Sequence, residues 1–187
     1  AIGAGVLVVF WIVLTFNRIV GLANRVDESF SGVDVQLKRR HDLVPNLVKT
    51  VKAYAKHERE TLEEVVEARG AAEKAEAVDE RAQTENGLSR SLDKLIALVE
   101  RYPDLKADGN FRSLQNDLVS IEDDLQYARR YYNGTVRDFN TRIQQFPAAL
   151  LARLVGVAPR DFFEIEDPSE RGVQRVSLDE DQEGTSS

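Results

Sequence analysis

The chain opens on a continuous apolar run, AIGAGVLVVFWIVLTF, and apolar character resumes at Ile19 to Ala23 after Asn17 and Arg18. A helix of about 22 residues rises roughly 33 Å, enough to cross a hydrocarbon core of about 30 Å. Residues 1–23 therefore read as a single transmembrane anchor, with Trp11 inside it and Arg18 near one end, where a guanidinium reaches the headgroups. A cleaved signal peptide is the competing reading. Gly21 and Ala23 supply the small residues a peptidase takes, but the run before them carries no basic n-region.

Beyond the anchor the pattern turns periodic. Val26, Phe30, Val33, Leu37, Val44, Leu47, Val51, Tyr54, Leu62 and Val65 or Val66 recur in steps of three and four wherever the stripe is filled, which predicts one long amphipathic helix from Arg25 to Arg69. Pro45 is its visible defect, because the missing N–H and the ring clash cost about 3 kcal/mol inside a helix. Lys38, Arg39 and Arg40 suit a helix end and Asp42 a new cap, so a kink or one-turn break is expected at 41–46.

Gly70 ends this run, and 71–84 is polar and alanine-rich, a connector of loose helical turn. Leu88, Leu92, Leu95, Ile96 and Val99 predict a second helix over about 80–102, stopped by Tyr102-Pro103-Asp104. Asp108 or Asn110 is placed to cap the third. Its seam is Phe111, Leu114, Leu118, Ile121, Leu125, Ala128, Tyr132, Val136, Phe139, Ile143 and Phe146, the most regular pattern in the chain. Pro147 is expected at the first position of a short helix, Ala148 to Val155, closed by Gly156. The fold class is all-α: a transmembrane anchor over 1–23, an antiparallel helical bundle over 24–163, and an acidic tail over 164–187.

Composition changes this picture in two places. The net charge of -7 resides mostly at the C-terminal end: from Glu164 onward there are eight acids against Arg171 and Arg175, leaving 23 basic and 24 acidic groups in the remainder. A nearly neutral body has no basic face for nucleic acid. The chain has no cysteine, which removes disulfides, thiolate zinc sites and cysteine nucleophiles.

Candidate chemistry is sparse. His41 and His57 lie sixteen residues apart with no partner at ligand spacing, so solvated or capping histidines are the ordinary reading, and no metal ligand, cofactor site or catalytic residue is assigned. A hydrolase or metal enzyme hidden among the helices remains the outlying alternative. Gln126, Asn133 and Asn140 repeat every seven residues beside the third seam, and Asn46 follows the proline. Asn46, Asn133 and Asn140 are candidates for amides that pair across the helices and fix their register. Half-exposed amides at the seam edge are the alternative.

Three blocks, VDVQLKRRHDLVPNLVKTVKAYAKHERETLEEVVEAR, LVERYPDLKADGNFRSLQ and ARRYYNGTVRDFNTRIQQFP, occur in an order that resembles the LemA family of bacterial membrane proteins. Phe139 and Gly134 depart from the family's usual residues. The resemblance implies one N-terminal anchor, a mainly helical bundle and no established enzymatic activity; the family includes a magnetosome-membrane protein needed for making that compartment.

The leading functional expectation is a non-enzymatic scaffold that self-associates and organises membrane or partner proteins. The first long helix outreaches the second, which points to Val26, Phe30, Val33 and Leu37 as a self-association face. Arg39 and Arg40 are expected to touch anionic headgroups or a partner. The alternative is a monomeric adaptor whose acidic tail or helical face docks a protein. Basic residues follow the anchor at Arg18, Arg25, Lys38, Arg39 and Arg40, which predicts a bacterial inner-membrane protein with its N-terminus outside and its body cytoplasmic. The expected partners are lipid, a second copy and an unidentified protein.

Overall fold

A computed structural model describes residues 2–164, and the acidic stretch expected as a tail lies, from residue 165 on, outside the described residues. Those residues form six helices and no strand: α1 (Ile2–Tyr54), α2 (Arg59–Lys74), α3 (Val78–Val99), α4 (Pro103–Ala107), α5 (Gly109–Gln144) and α6 (Ala148–Val155). An extended segment, 157–164, follows.

The first helix is continuous from the apolar run into the body, and it passes through Pro45. Of the kink or one-turn break expected at 41–46, a break is not formed; the interruption falls at residues 55–58, where the chain turns back into α2. Two causes act together. Pro45 cannot donate to the carbonyl of His41, one turn earlier, and Arg69 Nε donates to that carbonyl instead at 2.8 Å. The stripe itself runs out beyond Tyr54, because the next seam position before Leu62 is Glu58, a carboxylate held by Tyr102 Oη at 2.9 Å and Arg101 Nη2 at 3.1 Å.

Two further boundaries differ from expectation. α2 runs through Gly70 to Lys74 and α3 starts at Val78, so only residues 75–77 connect them. Phe146 lies beyond the end of α5 and is exposed, so it does not belong to the third seam. Asp108 caps α5, its Oδ1 accepting from the Phe111 N–H at 2.8 Å. Pro147 stands at the cap of α6, one place before the expected position. At the other end Gly156, at φ +75°, lets the Val157 N–H reach back to the Ala152 carbonyl at 2.9 Å.

α5 lies antiparallel along α1 in constant register. Tyr54 meets Asp108, Thr50 meets Asn110, Arg39 meets Asp124, and Ser29 meets Thr135, each step along one helix matched by a step back along the other. This covers Val26, Val33 and Leu37, which are buried within the single chain against Leu125, Tyr132, Val136 and Phe139; Phe30 packs edge-on to Tyr132 at 5.3 Å. The expected self-association face is thus corrected: α5 occupies it, and it is closed to a second copy.

The interior divides into two apolar cores. The core far from the apolar run joins α1 from Val44 to Val51, and Ala55 just after it, with α2, α3, Leu105 and the start of α5. The anchor-proximal core joins α1 from Ile19 to Leu37 with the second half of α5, α6 and Phe163. Ile19, Leu22 and Ala23 belong to this second core, so α6 stands beside the end of the apolar run. Its outer side, with Leu150 and Leu154, is exposed and continuous in character with Phe16 and Val20.

Candidate functional site

Arg40, His41, Glu85 and Arg129 are buried where the two cores meet, with Glu122 at their edge. Each occupies or adjoins a seam position of its helix: Arg40 and His41 between Leu37 and Val44, Glu85 between Ala82 and Leu88, and Glu122 and Arg129 flanking Leu125. α1, α3 and α5 present these side chains at one level.

The guanidinium of Arg40 is 1% exposed and takes partners from two other helices, α3 and α5. Nη1 donates to Glu85 Oε2 at 3.1 Å, and Nη2 donates to Ser89 Oγ at 2.7 Å and lies 2.8 Å from Glu122 Oε1. His41 Nε2 donates to the other Glu85 oxygen at 2.6 Å. Glu85 is thereby satisfied on both oxygens, which a buried carboxylate requires.

Arg129 is different. It is 4% exposed, yet its Nε and Nη2 have no hydrogen-bond partner and no carboxylate of a described residue forms an ion pair with it. Phe163 lies under it, 4.9 Å from guanidinium carbon to ring centroid. Burial, and next the charge of Arg40, push its guanidinium down to about 10.

α3 packs mainly on α2 and reaches α1 through long side chains, leaving a cleft of about 1320 Å³ between α3 and α5. Arg40, Glu122 and Arg129 line its inner part; Asn86, Arg90 and Asp93 stand on the α3 side and Gln126 on the α5 side. The chain from Arg160 to Glu164 closes one end.

The LemA family model matches residues 29–178, which include all five members of the buried cluster. The chain belongs to the LemA family. It is 22% identical to magnetosome protein MamQ 1 of Paramagnetospirillum magneticum over 82% of this chain and 66% of that protein. It is 23% identical to magnetosome protein MamQ of Magnetospirillum gryphiswaldense, over 81% of this chain and 65% of that protein. Protein LemA of Metamycoplasma hominis is 23% identical over 87% of this chain and 73% of its own length. The chain thus spans just under two thirds of the magnetosome relatives it matches.

In this LemA-family chain the residues singled out by sequence fall in unexpected places. Arg40 is buried rather than facing lipid, and Arg39 is exposed with an ion pair to Asp124 at 3.4 Å. Both lie about 17 residues, roughly 25 Å, beyond the apolar run that ends at Ala23, too far along α1 to meet headgroups beside it. His41 is a buried ion-pair partner, not a solvated or capping residue. His57 is in the turn at 55–58.

The amides do not pair across helices. Asn133 clamps the backbone of Phe163, its Oδ1 accepting from the N–H at 2.8 Å and its Nδ2 donating to the carbonyl at 3.1 Å. Asn140 clamps Arg160 in the same way, at 2.8 and 2.9 Å. Seven helical residues rise about 10.5 Å and three extended residues about 10 Å, so the spacing matches. Asn46 is exposed on α1, and Thr50 Oγ1 donates to its carbonyl. Trp11 and Arg18 are on the exposed apolar part of α1.

Proposed function

We propose that this protein is a non-enzymatic, membrane-anchored helical adaptor that holds a partner protein at the α3–α5 cleft. The observation that carries this reading is Arg129, a buried cation that forms no ion pair among the described residues although Glu122 and Glu85 lie near it, lining a cleft large enough for a peptide segment. Burying a charge without a partner costs several kcal/mol, roughly. Such an arrangement persists most readily where a ligand completes it.

The anchor supports the membrane part of the reading. α1 supplies one span of sufficient length and hydropathy, and its window is largely unburied. Basic residues after the run favour an N-terminus outside and a body in the bacterial cytoplasm. Self-association, the other expectation, loses its candidate face to α5.

A photo-crosslinking residue at Gln126, in the full chain within native membranes, tests the reading. An adduct with another protein is the expected result. An adduct at twice the chain mass moves the reading to self-association, and no adduct at Gln126, with Asn86 as a second position also silent, removes the cleft from the function.

A further inference from the structure

The last turns of the apolar run have a companion. Thr15 and Ile19, one turn apart on it, are each 3% exposed, and Ile19 packs with Ala148 and Ala152 of α6. α5 does not reach Thr15. The register that sets Ser29 against Thr135 brings Gln144, the last residue of α5, opposite about residue 20 of α1. The cover on Thr15 therefore comes from the chain that follows α5 and continues along α1 past the level at which α5 stops.

This excursion, 145–159, leaves from the end of α5 and is tied back to it at Arg160, whose backbone Asn140 clamps. Between Gln145 and Arg160 its only charged residue is Arg153. Phe146, Leu150 and Leu154 are exposed, as are Phe16 and Val20 on the adjoining turns of the run. An apolar surface of this kind marks a contact, and here it is continuous with a helix long and apolar enough to cross a bilayer. The excursion also closes its own backbone. The Ala149 and Leu150 N–H groups donate to the carbonyls of Gln145 and Pro147 at 2.9 and 3.2 Å, and past Gly156 the Val157 N–H returns to Ala152. A segment that enters lipid has to satisfy its polar groups in this way.

The charges at this level have one sign. Arg18 and Arg25 on α1, Arg142 near the end of α5 and Arg153 on α6 form no ion pair among the described residues. Neither 15–25 nor 139–159 contains a carboxylate, and the first acid beyond them on α1, Asp27, pairs with Arg160 at 3.3 Å. Arginines ringing an apolar surface suit the phosphates of an anionic leaflet.

We propose that residues 145–159 form a second membrane contact, seated in the leaflet of an anionic bilayer from which α1 emerges. The Leu150 and Leu154 side of α6 lies among acyl chains, and the four arginines lie on headgroup phosphates. Two attachments, in place of one, hold the body against the surface. This rests on the membrane reading of the span and is independent of the α3–α5 cleft.

The chain has no cysteine, so Val9→Cys, Ser120→Cys or Leu154→Cys places a single fluorophore on the full protein in vesicles of phosphatidylcholine and phosphatidylglycerol in equal parts. A nitroxide on the acyl chain quenches what touches lipid. The labels at Val9 and Leu154 are expected to be quenched and the label at Ser120, on the exposed side of α5, to be unaffected. Nitroxide carried by phosphatidylglycerol should quench Leu154 about twofold more than the same fraction carried by phosphatidylcholine. Arg142→Gln together with Arg153→Gln should bring that ratio close to one, and Arg142→Lys with Arg153→Lys should keep it, because the attraction needs charge alone. Helix content by circular dichroism checks folding.

A label at Leu154 that stays unquenched while Val9 is quenched overturns the proposal and leaves the span standing. An unquenched Val9 removes the span, and the proposal with it. Equal quenching by the two lipids, or a difference that survives replacement of both arginines by glutamine, also overturns it.

Discussion

Arg69 Nε donates to the carbonyl of His41 at 2.8 Å, taking the place of the N–H that Pro45 lacks. A proline in a helix leaves a carbonyl four residues back without its donor, and here the returning helix α2 supplies one. The proline and the arginine are therefore one structural unit, although 24 positions separate them in sequence.

Arg69→Met should cost about 1–3 kcal/mol in the native chain, because it orphans a carbonyl in a largely buried turn. In a Pro45→Ala background the restored N–H takes that carbonyl, and the same substitution should cost much less. Urea melts of the four proteins give the coupling directly. Equal costs in both backgrounds would falsify the pairing.

The two buried arginines should respond with opposite signs. Arg40→Met leaves Glu85 and Glu122 without their main counter-charge and should destabilise by about 3–5 kcal/mol. Arg129→Met removes a cation that forms no ion pair among the described residues and should stabilise by about 1–2 kcal/mol, after loss of its contact with Phe163. The pH dependence carries a definite sign. Arg129 is a base whose folded-state pKa is lowered to about 10, so its penalty is complete below that pH and is relieved as the pH rises above it. The stability gained by Arg129→Met should be constant from pH 7 to 9 and should shrink above pH 10.

Asn133→Leu and Asn140→Leu should each release the extended segment without melting the helices. Each removes two hydrogen bonds to backbone, a loss of about 1–3 kcal/mol confined to one attachment. Hydrogen exchange at 160–163 should accelerate while exchange in α1 and α5 is unchanged. Slower exchange, or a rise in melting temperature, would support amides that serve only the helix seam.

α6 should touch lipid. It packs on Ile19, Leu22 and Ala23, at the end of the apolar run, with Leu150 and Leu154 facing outward. In a Trp11→Phe background, tryptophan at Leu154 should emit at short wavelength and be quenched by brominated lipid. Emission typical of water, without quenching, would place α6 clear of the bilayer.

The sequence displayed its helices well and its junctions poorly, for an identifiable reason. The seams of α3 and α5 are regular, so their burial could be read from spacing, as with Leu88, Leu95, Leu125 and Val136. A gap in a seam is ambiguous. Glu58 marks the end of a helix, whereas Arg40 and His41 fill a gap of the same kind and are buried by residues that arrive from α3 and α5. Only the coincidence of charged seam positions at 40, 85 and 122 would have signalled the cluster, and their alignment depends on where the chain turns. Expecting one helix from Arg25 to Arg69, with a kink or one-turn break at 41–46, hid that alignment, because the chain turns back at 55–58. The amides failed differently: their period of seven was visible, but their partner was the backbone of 160–163, which has no side-chain pattern to match.

One consequence follows from the unbroken α1. From the end of the apolar run to Tyr54 the helix extends about 50 Å, continuous through Pro45. As a rigid rod crossing a bilayer, it would swing its far end by roughly 9 Å for a retilt of the span by about 10°. Bilayer thickness would then be read out as displacement at the tip.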